Sequence, residues 1–112
     1  MATRYIRRFN LKDSLTDKQV VDFWKAALGE WIPVIEKVKG VRSVKVYSGA
    51  GALRADIRLV YDMDDAGAYE AVVLDPAVHK ILGPFYGAID LKTSTQMFIR
   101  EVTPDLLKAL SS

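Results

Sequence analysis

The sequence predicts an α+β domain in which helices cover one face of a four-stranded antiparallel sheet. Two kinds of segment support this prediction. Some segments alternate apolar and polar residues, as strands do, and others repeat apolar residues every three to four positions, as helices do. Their order is β-α-β-β-α-β along 112 residues, with no internal repeat or linker. We therefore expect a single domain over 1–112.

Composition narrows the class of protein. Half of the residues are hydrophobic and 27% are charged, which is typical of a globular chain. The chain contains no cysteine, which excludes disulfides and thiolate metal sites. We expect neither a metal nor a cofactor. The sixteen basic residues are scattered, which disfavours nucleic acid as a partner. Because no signal-peptide core or long apolar run is present, we expect a cytoplasmic protein without a membrane partner.

The first half begins with a strand over 4–9, "RYIRRF". Thr16 and Gln19 form a predicted capping box for a helix over about 17–38. Pro33 should bend or break this helix between 29 and 33, because proline removes a backbone donor and clashes with the carbonyl four residues back. Gly40 is the expected stop. The predicted buried face of this helix comprises Val20, Trp24, Ala27, Leu28, Trp31, Ile35 and Val38.

Two strands, 42–48 and 53–61, are predicted to follow, joined by a glycine turn over 49–51. The second strand has the clearest alternation in the chain. Leu53, Ala55, Ile57, Leu59 and Tyr61 should form the face beneath the helices. Arg54, Asp56 and Arg58 should form the other face, together with Lys45, Arg100 and one of Arg7 or Arg8. These charges predict either an ion-paired dimer interface or a site for an anion.

The second half should begin with a helix capped by Asp62, Asp64 or Asp65. That helix should bury Tyr69, Val72 and Val73. The pair Asp75-Pro76 is expected to restart it as an N-cap followed by a first-turn proline, and Gly83-Pro84 should end it. A strand over 94–102 and a short capped helix over 103–110 complete the prediction. This order of elements is the ferredoxin-like arrangement.

Several stretches resemble the stress-responsive dimeric α/β-barrel (Dabb) domains. They are "RYIRRFNLKDSLT", "IPVIEKVKGVRSVKVYSG" and "LDPAVHKILGPFYGAID", and the likeness spans about residues 4 to 103. The resemblance implies a homodimer in which two sheets face each other as a barrel. One member of that family is a cofactor-free polyketide cyclase, whose acid–base pair is a histidine at the proline-alanine corner and a tyrosine on the same helix.

The resemblance implies that His79, the sole histidine, matches this corner with one extra residue before it. Val72 occupies the position of the family's tyrosine, and Tyr69 is the nearest tyrosine. His79 with Tyr69 is thus the candidate catalytic pair, and a histidine suits acid–base work near neutral pH. Asn10 and His79 also invite comparison with cofactor-free monooxygenases of the same general fold.

Aromatic residues outside this pair predict either a ligand pocket between helices and sheet or a plain core. An aromatic wall with a few polar tips suits a small planar molecule. The leading prediction is a homodimeric protein that binds a small organic molecule. The alternative is a cofactor-independent enzyme, cyclase-like or monooxygenase-like, that uses His79 with a tyrosine. The candidate ligand-binding residues are Tyr5, Trp24, Tyr61, Phe85 and Tyr86.

Overall fold

The computed structural model describes residues 2–49 and 53–111. Its sheet has the order β2-β3-β1-β4, every neighbouring pair is antiparallel, and the main helices lie on one face, which confirms the predicted fold class. The elements are β1 (Thr3–Leu11), α1 (Asp17–Ala26), a π-helical turn (Ala27–Trp31), α2 (Ile32–Glu36), β2 (Val41–Tyr47), β3 (Ile57–Met63), α3 (Gly67–Leu74), α4 (Pro76–Ala88), β4 (Ile89–Ile99) and α5 (Pro104–Ser111).

The first helical region follows its sequence signals. Thr16 and Gln19 make both hydrogen bonds of the capping box at the start of α1. The predicted interruption before Pro33 is confirmed as a π-helical turn, in which the Ile32 N–H donates to the Ala27 carbonyl five residues back. Pro33 has no N–H to donate to the carbonyl of Gly29, and the wider π turn lies over the residues just before it.

The strand predicted over 53–61 begins only at Ile57, and it ends at Met63. Asp56 has a φ of 54°, in the left-handed region, which breaks the extended backbone. The stretch before it runs beside the end of β1 instead. The Leu11 N–H donates to the Arg54 carbonyl at 2.8 Å, and the Asp56 N–H donates to Asn10 Oδ1 at 2.8 Å. Of the predicted turn over 49–51, residues 50 and 51 lie outside the described residues.

The predicted helix stop at Gly83-Pro84 is wrong, because α4 runs through both residues to Ala88. Pro84 and Lys80 are exposed, so water can hydrate the Lys80 carbonyl that loses its partner. Consequently β4 begins at Ile89, five residues before the predicted start, and ends at Ile99. The restart at Asp75-Pro76 is confirmed: Asp75 Oδ1 accepts from the N–H groups of Ala77 and Val78.

The core lies between the helices and the face of the sheet that they cover. Three residues predicted to be buried are exposed: Leu28 by 58%, Leu53 by 59% and Val73 by 47%. Phe23, which was not predicted for the buried face, is only 7% exposed, and Leu53 falls in the irregular segment before β3. The most deeply buried side chains are Tyr5, Phe9, Leu11, Ile57, Met63 and Ile89.

The opposite face of the sheet, which we call the open face, carries no helix among the described residues. One row across it reads Lys45, Val60, Ile6 and Met97, from β2 to β4. Ion pairs flank the row: Arg4 with Asp62 at 2.7 Å on one side, and Arg8 with Asp56 at 2.7 Å on the other.

The charged side chains are divided between the two faces differently from the prediction. Arg8 lies on the open face, whereas alternation turns Arg7 towards the helices. Contrary to the prediction, Arg54 does not lie on the open face. Its guanidinium donates hydrogen bonds to the Leu15 carbonyl and to the Asp17 carboxylate. The reason is again the irregular segment before β3, which removes Arg54 from the alternation of the strand.

Candidate functional site

A cavity of about 370 Å³ lies between the helices and the covered face of the sheet. Its wall is largely apolar and aromatic. Phe85 of α4 contacts Phe9 of β1 edge-to-face, with ring centroids 5.3 Å apart, and Phe23 contacts Trp31 in the same way at 5.3 Å. Edge-to-face pairs hold rings in fixed orientations, so the wall has a defined shape. The apolar lining includes Phe9, Phe23, Trp31, Ile35, Leu59, Val72, Ile81 and Phe85.

Three polar side chains meet at one part of the cavity wall. The Tyr5 hydroxyl donates to Gln96 Oε1 at 2.6 Å, and the Tyr69 hydroxyl lies 3.4 Å from both of these oxygens. Tyr5 comes from β1, Gln96 from the neighbouring strand β4 and Tyr69 from α3, so the sheet and a helix together build the cluster. It offers hydrogen bonds to a polar group on a bound molecule.

Tyr61 places a further hydroxyl at the cavity. Its ring packs edge-to-face on that of Tyr5, with centroids 5.1 Å apart. Within the described part of the chain the Tyr61 hydroxyl has no hydrogen-bond partner, although the residue is only 7% exposed. Burial raises the pKa of Tyr61, and burial followed by the hydrogen bond with Tyr69 raises the pKa of Tyr5. Both therefore act as neutral hydroxyls rather than phenolates at neutral pH.

His79 lines the cavity from its exposed side. Its Nε2 lies 2.5 Å from the Val73 carbonyl oxygen. A carbonyl can only accept, so Nε2 is the donor of this hydrogen bond, and Nδ1 has no hydrogen-bond partner among the described residues. Nε2 of the histidine thus links α4 to α3, and Nδ1 is available to bind a ligand or water.

Arg7 brings a positive charge to the same cavity. Its Nε donates to Ser94 Oγ at 3.1 Å and its Nη1 donates to the Tyr86 hydroxyl at 3.0 Å. The guanidinium carbon lies 5.2 Å from the ring centre of Phe85 and 5.1 Å from that of Tyr86. These contacts hold the planar group along the aromatic wall.

Most of the residues singled out from the sequence come together in this cavity. Trp24 lies elsewhere, and its indole N–H donates to the Leu53 carbonyl at 2.9 Å. Arg7 and Gln96 line the cavity without having been predicted for it. The position of Arg7 on the covered face was predictable from the sequence, because Arg7 stands between Tyr5 and Phe9 in the alternation of β1. The sequence contains no comparable signal for Gln96. The predicted residues that line it are Tyr5, Tyr61, Tyr69, His79, Phe85 and Tyr86.

Solved structures of the same fold exist at low sequence identity. A dimeric ferredoxin-like protein of unknown function from Bacteroides fragilis superposes with a TM-score of 0.72 at 14% identity, covering 89% of this chain and 96% of that one. A dimeric ferredoxin-like protein of unknown function from Thermobifida fusca gives 0.70 at 18%, covering 90% and 92%. SnoaB from Streptomyces nogalater, a cofactor-independent oxygenase, gives 0.67 at 11%, covering 92% and 97%. The chain therefore has the ferredoxin-like fold.

Other comparisons give no further assignment. No family model and no curated protein matches the sequence. Across 2–49 and 53–111, no helix has the length and apolar character needed to cross a bilayer. Over the same residues, no group of three or more histidine, aspartate or glutamate side chains is arranged to hold a metal ion.

Proposed function

We propose that this protein is a homodimer of the Dabb type that binds a small aromatic molecule in the cavity of each subunit. The observation that supports binding most strongly is the cavity itself. Its volume of about 370 Å³ falls in the range of small-molecule sites, roughly 300–1,000 Å³. Apolar rings form most of its wall, and polar groups stand at a few fixed points. A flat molecule of about two fused rings fits both the volume and the lining.

The dimer is supported first by the open face. Ile6 and Val60 are half-buried there, while Met97 is 57% and Ile99 40% exposed. Val60, Ile6 and Met97 form the apolar part of the row, with ion pairs on both sides, and such a stretch is typical of a surface that a partner covers. A second copy of the sheet would cover this row and place the ion pairs at its margin.

The C-terminal helix supports the dimer independently. None of the residues in α5 is buried, and Leu107 and Leu110 are 58% and 74% exposed. A helix of eight residues is marginal by itself in water and depends on packing of its apolar side. We propose that this side packs on the partner subunit.

Light scattering tests the dimer. At micromolar concentration the protein should have about twice its chain mass of 12.5 kDa. A mass equal to one chain at all concentrations up to the millimolar range would contradict the barrel arrangement.

Ligand binding can be tested with prodan, a neutral naphthalene dye whose emission shifts to the blue in apolar surroundings. The wild type should bind it and shift its emission. Val72→Phe, which adds a ring inside the cavity, should weaken binding by tenfold or more. Val21→Phe makes the same change at a site on α1 that is 46% exposed, and it should leave binding unaltered. Equal binding by all three proteins would place the dye outside the cavity.

A second candidate function is cofactor-independent catalysis by His79 with Tyr69. It is supported by the presence of both residues at one cavity and by the unengaged Nδ1 of His79. The fold is also shared with the oxygenase SnoaB. In this proposal Nδ1 removes an acidic proton from a bound ring system, and the Tyr69 hydroxyl donates a hydrogen bond to the enolate that forms.

Oxygen uptake in the presence of an anthrone, which has an acidic C–H, tests this candidate. An enzyme should speed uptake above the rate in buffer, and His79→Gln should lose the acceleration while it still binds prodan. If the wild type takes up oxygen no faster than buffer while it still binds prodan, the catalytic proposal is contradicted for this class of substrate and the binding proposal stands.

A further inference from the structure

Arg7 differs from most arginines of this chain in its partners. Both of its hydrogen bonds go to neutral hydroxyls, those of Ser94 and Tyr86. Among the residues that the structure describes, no carboxylate lies within ion-pair distance of its guanidinium. By contrast, an aspartate pairs with each of Arg4, Arg8, Arg42, Arg54 and Arg58.

The surroundings of Arg7 make this lack of a counter-ion costly. The residue is half-buried on the covered face, between Tyr5 and Phe9, and its charge lies against two aromatic rings. A cation in a largely apolar cavity has lost water without gaining an opposite charge. Such a group attracts any anion that can reach it.

The free N–H groups of Arg7 define how an anion would bind. Nε and Nη1 are engaged, but Nη2 has no partner within 2–49 and 53–111. The Tyr86 hydroxyl accepts from Nη1, so its own proton remains available for donation. Arg7 and Tyr86 thus present adjacent donors, the arrangement that suits the two oxygens of a carboxylate.

Tyr86 also indicates which end of the cavity the anion would occupy. It is 38% exposed, as is Leu82 beside it at 36%, so this part of the lining is the mouth. Phe9 and Trp31 lie on the buried part of the wall.

We propose that the natural ligand is an aromatic carboxylate, bound with its ring system among Phe9, Trp31 and Phe85 and its carboxylate on Arg7 and Tyr86. The inference rests on the proposed binding function and specifies its ligand class. It assigns Arg7 the role of selecting anions over neutral molecules of the same shape.

Calorimetric titration with two matched probes tests the assignment. The probes are 2-naphthoate and 2-naphthylmethanol, which share a ring system and differ in charge. The wild type should bind the carboxylate roughly 10- to 100-fold more tightly than the alcohol, as expected for a charge-assisted hydrogen-bonded pair. Arg7→Met should abolish this preference and leave the affinity for the alcohol within about threefold. Arg42→Met removes the same charge from an exposed ion pair and should leave the preference intact.

The outcomes separate the ligand class from the binding function. If the alcohol and the carboxylate bind the wild type equally, the cavity is a binding site but the role of Arg7 is wrong. If neither binds at millimolar concentration, the proposed binding function is overturned, and this inference falls with it. Arg7→Lys guards against misfolding of the methionine variant: it keeps the charge without the planar fork, so part of the preference should survive, and its complete loss would contradict the assignment.

Discussion

The two faces of the sheet are built from residues of the same strands, but they differ in what packs against them. The covered face sets Tyr5, Arg7 and Phe9 against helices and leaves a cavity among them. The open face carries Arg4, Ile6 and Arg8, and within the described chain no main helix packs on it. The covered face thus holds an internal space that a small molecule can fill, and the open face holds a broad surface that another protein surface can cover.

Charge distinguishes the two faces most clearly. Arg7 and Arg8 are neighbours in sequence, yet Arg8 pairs with Asp56 at 2.7 Å and Arg7 contacts only neutral groups. On the open face, Arg4 pairs with Asp62, and Asp56 pairs with both Arg8 and Arg58, so each of these arginines has a carboxylate beside it. The comparison teaches that an arginine count or a net charge says little about anion binding; the partners of each guanidinium decide it.

The largest effect should come from the covered face. Phe9→Ala removes a ring that is 2% exposed and in edge-to-face contact with Phe85. Loss of that packing should lower the free energy of unfolding by about 3–5 kcal/mol. Urea unfolding measures it. Leu28→Ala, at a residue 58% exposed, is the control and should change the value by less than about 0.5 kcal/mol. Similar losses for both variants would mean that the core is misplaced.

The next effect should appear on the open face. Val60→Lys puts a second charge into the row, between Lys45 and Ile6, where a facing copy would have to bury it without a partner. The dimer dissociation constant should rise by about 100-fold or more, and prodan binding should persist. Analytical ultracentrifugation measures the constant. Val21→Lys, on the outer side of α1, is the control and should remain dimeric; a dimeric Val60→Lys protein would place the interface elsewhere.

A smaller effect should follow from Tyr5→Phe, which removes one hydroxyl from the polar cluster. The Tyr5 donor to Gln96 Oε1 at 2.6 Å is lost, although Tyr69 can still donate to that oxygen. The free energy of unfolding should fall by about 1 kcal/mol. Thermal and urea unfolding measure it, with Tyr47→Phe on the open face as the control because Tyr47 is 53% exposed. An unchanged stability would show that the cluster carries no net stabilisation.

The smallest effect should come from Asp62→Asn. The Arg4 guanidinium, through a hydrogen bond, lowers the pKa of Asp62 below its usual 3.8. A lowered pKa in the folded state stabilises the fold above the ordinary pKa, and this contribution disappears as the pH falls through the folded-state value. At pH 7 the variant should therefore be less stable, by at most about 1 kcal/mol, because the pair is exposed. The difference should vanish near pH 2, and a difference that grows in acid would contradict the pairing.

The fold was predictable because local signals agree with it. Thr16 with Gln19 and Asp75 with Pro76 fix the starts of two helices, and alternation predicts the central strands. The errors arise where tertiary structure overrides local preference. Pro84 is tolerated inside α4 because its neighbourhood is exposed. Asp56 adopts a left-handed conformation, and its N–H donates to Asn10 Oδ1 of β1, a contact distant in sequence.

The candidate site was predictable in part. Six aromatic and histidine positions suggested from the sequence line one cavity. Gln96 could not be foreseen, since it reaches the site only through the register that pairs Arg7 of β1 with Gln96 of β4. That register depends on the early start of β4 and on the shift between Arg8 and Asn10, and neither has a signal in the sequence.

Methyl NMR tests the division between the faces most directly. The titrant is 2-naphthylmethanol, which carries no charge and so does not depend on the role of Arg7. Binding in the cavity predicts shifts for the methyl groups of Leu59, Val72 and Ile81, while those of Ile6, Val60 and Met97 on the open face stay in place. Shifts confined to the open-face methyl groups, or no shifts at saturating probe, would contradict the assignment of ligand binding to the covered face.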